Sequence, residues 1–326
     1  MAFLARSGTL LLLAFAALPA TAATFCVATP DELSAAIVAG RLNHQPDDFR
    51  LRRGTFALAA PVQVYAFDAQ GASFTGGWND GCWIQDRAPG ATVVDGQGAS
   101  ALFDIREPGA PPVRFALEHL TLRGGHTGGA HVVSIQGQNA TVVVSHCVFE
   151  GNVASNAARA LLAIRTVKPV DVLENAFIGN AFAGRAIDVD LYAASQDDSA
   201  MRRVLGNTLA FNPATGGIAI RSGRAATIAN NLTWGNGAAQ DLDAAAGSVV
   251  LGNSLQHAGT GDPLLQPGSW RLRGASPLRD AGMDMAATGA LSTLDLDGQA
   301  RIQGGAVDVG AHELGPTLYG DGFEDQ

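Results

Sequence analysis

One short pattern recurs six times through the middle of this 326-residue chain, and it restricts the accessible folds more than any other feature. The copies are 118–125 (EHLTLRGG), 145–152 (SHCVFEGN), 173–180 (LENAFIGN), 205–212 (LGNTLAFN), 229–236 (ANNLTWGN) and 251–258 (LGNSLQHA). Their ends step by 27, 28, 32, 24 and 22 residues. A period of about 20 to 50 residues belongs to solenoids, whose units bury a face only by stacking on their neighbours. Each copy is short, β-rich and closed by a Gly/Asn turn, so the units are coils of strands rather than helical pairs. The expected fold class is all-β: a right-handed, single-stranded parallel β-helix with a short N-terminal capping helix.

A second strand column aligns upstream of the first, at 132–136, 161–165, 187–190, 218–221 and 240–243. From its end to the turn that follows, the spacing is 11, 10, 10 and 10 residues in four coils, but 17 from Asp190 to Asn207. An insertion of about seven residues therefore falls within 192–201, and insertions in solenoids map to loops on one face, often the binding face. In the turn itself, Cys147, Asn175, Asn207, Asn231 and Asn253 hold equivalent places. Parallel strands stack about 4.8 Å apart. Amides in such a column form a ladder that satisfies both one another and the turn backbone. These five residues read as structure, with no ligand.

The flanks organise the rest. Arg6 precedes an apolar run from Leu10 to Leu18 and the small-residue pattern Ala20-Thr21-Ala22, which reads as a secretory signal peptide over 1–22. That run is too short to span a bilayer and no later one is longer, so no transmembrane segment is expected. Thr29-Pro30-Asp31-Glu32 signals a helix start, with Leu33, Ala36, Ile37 and Gly40 on one face, placed to cover the first coil. Residues 23–112 then form the N-terminal cap and first coils, 113–258 the regular coils, and 259–314 closing coils. A tail occupies 315–326.

Composition narrows the partners. The net charge is −9 and Lys168 is the sole lysine, which argues against nucleic acid, whose binding depends on cationic contacts to phosphate. Three cysteines leave one over in an oxidising compartment. Cys147 sits in the stacked interior, so Cys26 and Cys82 are the expected disulfide. With neither CxxC nor Cys/His ligand spacing, zinc is not expected, and the fold needs no cofactor.

Five motifs near the C-terminus carry a family resemblance. They are Gly261-Asp262-Pro263-Leu264-Leu265, Trp270-Arg271-Leu272, Ser276-Pro277-Leu278-Arg279-Asp280-Ala281-Gly282, Asp295-Leu296-Asp297-Gly298-Gln299-Ala300-Arg301 and Val307-Asp308-Val309-Gly310-Ala311-His312-Glu313. In this order they resemble the closing region of bacterial secreted β-helix proteins of the choice-of-anchor Q type. The resemblance implies a pectin-lyase-like solenoid, exported and held at the outer cell surface or released, and says nothing of chemistry. The ending Asp321-Gly322-Phe323-Glu324 is similar to the short tails of secreted Gram-negative proteins and implies a sorting signal.

Candidate chemistry lies on the second strand column. It reads Gln136, Arg165, Asp190, Arg221 and Asp243 from coil to coil, and two residues earlier Ser134, Ala163, Asp188, Ala219 and Asp241. Alternating Arg and Asp along an exposed ladder makes ion pairs, each worth about 0.2–1 kcal/mol. The same residues suit an enzyme. Arg165 and Arg221 flank Asp188 and Asp190 beside the loop holding Tyr192, Asp197 and Asp198. Arginine would hold a uronate and abstract its C5 proton, clustered aspartates would bind Ca²⁺, and paired carboxylates would serve glycoside hydrolysis. No segment resembles the signature motifs of pectate lyases or polygalacturonases, which weighs against catalysis. His119 and His146 occupy equivalent places and are expected to stack on the surface. His126 and His131 share a glycine-rich turn. Trp78 and Trp83 fit either a packing cluster near Cys82 or a platform for sugar stacking. Two functions stay open: a monomeric, non-catalytic extracellular protein contacting polysaccharide or cell-surface glycan, matrix or cells, and a polysaccharide lyase or glycoside hydrolase, with Ca²⁺ if a lyase.

Overall fold

The structure, a computed structural model, describes residues 22–65, 71–107, 112–190, 201–214, 216–283 and 293–315. The signal peptide, most of the insertion with Tyr192, Asp197 and Asp198, and the tail lie outside the described residues.

The chain winds as a parallel β-solenoid. Each full coil gives one strand to each of three sheets, which contain nine, eight and seven strands, so seven coils are complete. The coil from Ala140 shows the path. Ala140–Ser145 enters the first sheet, Val148–Glu150 the second and Ala160–Arg165 the third, with a two-residue strand, Val153–Ala154, between the last two. Coils stack in parallel register: Val142 faces Phe115 on one side and Val170 on the other.

Inward positions of the three sheets make one continuous core. Like side chains stack along it, as in Phe25–Phe49–Phe74, with ring centroids 5.2 and 4.8 Å apart, and Phe149–Phe177 at 4.3 Å. At the N-terminal end a helix, Pro30–Gly40, packs on the first two strands of the first sheet. Thr29 Oγ1 accepts the Glu32 N–H and Glu32 Oε2 accepts the Ala28 N–H, two donors satisfied reciprocally. Its buried face is Leu33, Ala36, Ile37 and Gly40.

From the coil of Ala140 on, each bend between the first and second sheets puts one residue in the left-handed backbone region and then a column residue. In the column, Asn207 Oδ1 accepts the N–H (3.0 Å) and Nδ2 (3.0 Å) of Asn175. Its own Nδ2 donates to Val172 O (2.9 Å) and Asn231 Oδ1 (2.9 Å). Asn253 closes the series beyond Asn231, and Cys147 opens it by donating its N–H to Asn175 Oδ1. Burial pushes the Cys147 thiol up to about 12, so it stays protonated. A second buried ladder follows the second sheet: Asn152, Asn180, Asn212 and Asn236, ending on Gln256.

The segment 259–314, expected as closing coils, adds no strand to these sheets among the described residues. After a 3-10 turn, Gln256–Ala258, the chain doubles back along the outside of the second sheet. The reason lies in that sheet. Its short strands are apolar on both faces: Phe149 and Phe177 point into the core, while Val148, Ala176, Ala210 and Leu232 point out. Leu265, Leu272, Leu296, Val309 and Ala311 of the returning strap cover them.

Candidate functional site

The charged column on the third sheet is present, with a slip. Arg165 lies opposite Asp190, but Asp188 rather than Asp190 lies opposite Arg221. A slip of two residues keeps the same side chains facing inward, so alternation in the sequence could not reveal it. Asp188 is 2% exposed. One of its oxygens meets Arg221 at 2.8 Å and the other Arg185 at 3.4 Å. Arg221 also reaches Asp190 at 3.2 Å and Asp243 at 3.6 Å. Arg165 joins no ion pair among the described residues. The candidate general-base and metal-binding carboxylates are thus held by arginines, and Arg165 stands apart from them.

The strap seam contains a denser set of titratable groups that the repeat pattern did not disclose. Along the first bend, Gly206 and Gly252 take the left-handed conformation easily, Asn230 at little cost, and His146 and Glu174 at a cost of about 1–2 kcal/mol each. Each of the three non-glycine residues uses its side chain on the strap. His146 Nε2 faces Leu294 O at 3.1 Å, Glu174 pairs with Arg301 at 3.1 Å, and Asn230 exchanges two hydrogen bonds with the Met283 backbone. Arg301 also pairs with Glu313 (2.9 Å), and His146 with Glu174 (2.8 Å), all buried. Burial and the nearby Asp308 push Glu313 up to about 7 despite Arg301. Burial alone would lower His146, but the bond and charge of Glu174 carry it above its ordinary value. His119 and His146 do stack, at 4.8 Å, with His146 under the strap rather than on an open surface. Burial, chiefly, pushes His119 down to about 3. His131 is also buried, its Nδ1 accepting the Ala160 N–H, whereas its neighbour His126 is exposed.

Asp295, Asp297 and His312 bring one ligand atom each within 4.8 Å of one another, the spacing of a metal centre. Their hydrogen bonds oppose that role. His312 Nδ1 accepts the Leu272 N–H, so the neutral ring carries its proton on Nε2, the atom 3.8 Å from Asp297. Asp297 takes two bonds from Arg271 (2.8 and 2.7 Å), and Asp295 accepts the N–H groups of Gln299 and Glu313. The trio closes the strap; it has no lone pair on Nε2 to give a cation. The C-terminal motifs are therefore joints of the strap.

A more open site lies where two hairpins meet. The first leaves the coil after Ala72–Trp78. Trp78 and Gln85 pair antiparallel, Asn79 Oδ1 accepts the N–H groups of Trp83 and Ile84, and Cys82 is joined to Cys26 by a disulfide with Cα atoms 5.9 Å apart. At its tip Trp83 is 82% exposed. Its indole lies back against Gly81, where a Cβ would strike the ring. The second hairpin belongs to the strap, with Leu294 and Ala300 paired antiparallel. Between them opens a cleft of about 820 Å³ bordered by Trp78, Trp83, Arg87, Asp297 and Gln299. Trp78, Gln85 and Arg87 also border a second hollow of about 430 Å³ that reaches Asp48, Thr75 and Glu118 on the outer face of the first sheet. The two hollows, which together make up the groove between the hairpins, share the wall of Trp78, Gln85 and Arg87. Arg50 stacks on the Trp78 ring at 4.4 Å. Of the two sequence readings of the tryptophans, burial excludes a packing role for Trp83. The Gly-Trp spacing was the available signal; the strap wall had none.

No family model matches the chain, and no curated protein matches it. Among solved structures, the chain is similar to the crystal structure of pectate lyase Pel9A, at 13% identity and a TM-score of 0.24, over 90% of this chain and 97% of that one. A likeness at that level carries no argument about reaction or ligand; the strand pairing itself establishes the parallel β-solenoid.

Proposed function

We propose that this is an exported, non-catalytic β-helix protein that contacts glycans through the groove between the two hairpins. The observation that carries the reading is Trp83, a large aromatic held in solvent over an open cleft by a hairpin pinned by Cys26–Cys82. An indole left bare on a rigid tip offers a flat apolar face and one N–H, which suits the mixed faces of a sugar ring. The disulfide fits an oxidising compartment. Among the described residues no helix is long and apolar enough to cross a membrane. Surface attachment of the choice-of-anchor Q kind remains the reading of the C-terminal motifs.

Catalysis at Arg165, Asp188, Asp190 and Arg221 receives less support, since Asp188 is buried between two arginines. One experiment addresses both. The protein is offered a panel of polysaccharides with and without Ca²⁺, scoring gel retention together with new unsaturated or reducing ends. Retention without product, lost in Trp83→Ala, is the expected result. Product formation that Asp190→Ala/Arg221→Ala abolishes in a folded protein would establish the enzyme instead.

A further inference from the structure

The groove's charges specify the class of glycan, an inference that rests on the reading of the groove as a glycan site. Four carboxylates border the two hollows, Asp48, Asp86, Glu118 and Asp297, against two arginines, Arg87 and Arg114, so the lining carries a formal charge of two minus four, −2. Two more arginines stand by it and are already engaged: Arg50 with Asp48 at 2.8 Å and Arg271 with Asp297 at 2.7 Å. Counting them, the balance is even. Arg114 is turned to Glu118 at 3.9 Å. Arg87 alone among these cations has no carboxylate partner among the described residues, its Nε donating to Gln85 Oε1 at 3.3 Å. His119, at the far end, is neutral at any physiological pH.

Such a lining suits neither sign of polymer. A polyuronate brings one negative charge per sugar and would find a single uncommitted cation, since the other arginines already face carboxylates. A polycation would compete with arginines already seated at Asp48, Glu118 and Asp297, and would find a single uncommitted carboxylate, Asp86, among the described residues. An uncharged pyranose needs an aromatic face for its C–H side and neutral donors and acceptors for its hydroxyls. Trp83 supplies the first, and Thr75 and Gln299 the second. We propose that the groove binds an uncharged pyranose chain, running from the Trp83 tip across Trp78 to the outer face of the first sheet.

The test is affinity electrophoresis and calorimetry of the full protein with hexamers of neutral gluco-, xylo- and manno-oligosaccharides, with polygalacturonate and with chitosan oligomers, between about 0.05 and 0.5 M salt. The expected result is binding to a neutral oligomer that salt leaves unchanged. Trp83→Ala would weaken it by about ten-fold or more. Tighter, salt-sensitive binding of polygalacturonate that fails in Arg87→Ala, or tighter binding of chitosan, would overturn the ligand class while leaving the groove in place. No retention by any polymer, or retention indifferent to Trp83→Ala, would overturn the groove reading itself.

Discussion

Asn207 shows how much a single side chain does in this fold, because it joins three successive coils. Its amide takes two hydrogen bonds from Asn175 and gives one to Val172 O and one to Asn231. Asn207→Ala would leave buried backbone and amide groups without partners, each costing about 1–3 kcal/mol. Urea unfolding is expected to show a clearly lower midpoint, with glycan retention unchanged in the folded protein; an unaltered midpoint would mean the ladder contributes nothing net. This ladder was legible from the period alone, since identical residues at equivalent places in stacked coils must meet. The pairing of Asp188 with Arg221 was not, because a two-residue slip leaves the inward pattern intact. Trp83 falls between: its residue type suggested either packing or binding, and only its exposure separates them.

At the scale of elements, the strap is the part that needs explaining. It docks through Arg301, buried between Glu174 and Glu313. Removing one member of a buried ion pair costs about 3–5 kcal/mol, so Arg301→Met is expected to free the segment beyond 259 to limited proteolysis while the coils resist. Equal protection in variant and parent would show that apolar contacts alone hold the strap. Its pH dependence follows from the same groups. Glu313, raised by burial to about 7, binds its proton more tightly folded than unfolded, and so does His146, raised by Glu174. Glu313's contribution is full below about pH 4.5 and lost as pH rises from there to about 7, and His146's is full below about 6.5 and lost above it. His131 and His312, both pushed down to about 4 chiefly by burial, act the other way: their contribution is lost as pH falls from about 6.5 towards 4. Thermal melting is therefore expected to peak near pH 6–7 and to decline on the alkaline side. Glu313→Gln should steepen the rise in melting temperature between about pH 4.5 and 6.5, where loss of the acid's proton opposes it; an unchanged slope would assign that window to other groups. One sequence signal for the strap existed, in strands such as 148–150 (VFE) and 176–178 (AFI) that are apolar at outward as well as inward places.

For the whole molecule, the two ends of the solenoid are treated differently. A helix covers the first coil, and the last coil is left by a chain that returns along the side. The disulfide ties the first strand to the Trp83 hairpin across 56 residues. Closing a loop of that size restricts the unfolded chain by about 4 kcal/mol at room temperature in the chain-entropy picture. Cys26→Ser/Cys82→Ser is expected to lower the melting temperature and to weaken glycan retention with it, because the hairpin that carries Trp83 loses its tether. Loss of stability with retention intact would show that the hairpin's own hydrogen bonds, through Asn79, suffice to hold the wall.

Local periodicity was enough to establish stacked parallel coils and the first amide ladder, since each follows from neighbours a turn apart repeating the same contact, and the Thr29-Pro30-Asp31-Glu32 start signal was enough for the capping helix. The strap, the buried Glu174–Arg301–Glu313 seam and the groove depend on partners without any period, such as the Ala311 N–H on Thr208 Oγ1, 103 residues away. Those contacts form once in the molecule, so beyond the outward apolar places of the second sheet they leave no recurring mark in the chain, and only the three-dimensional packing brings them together.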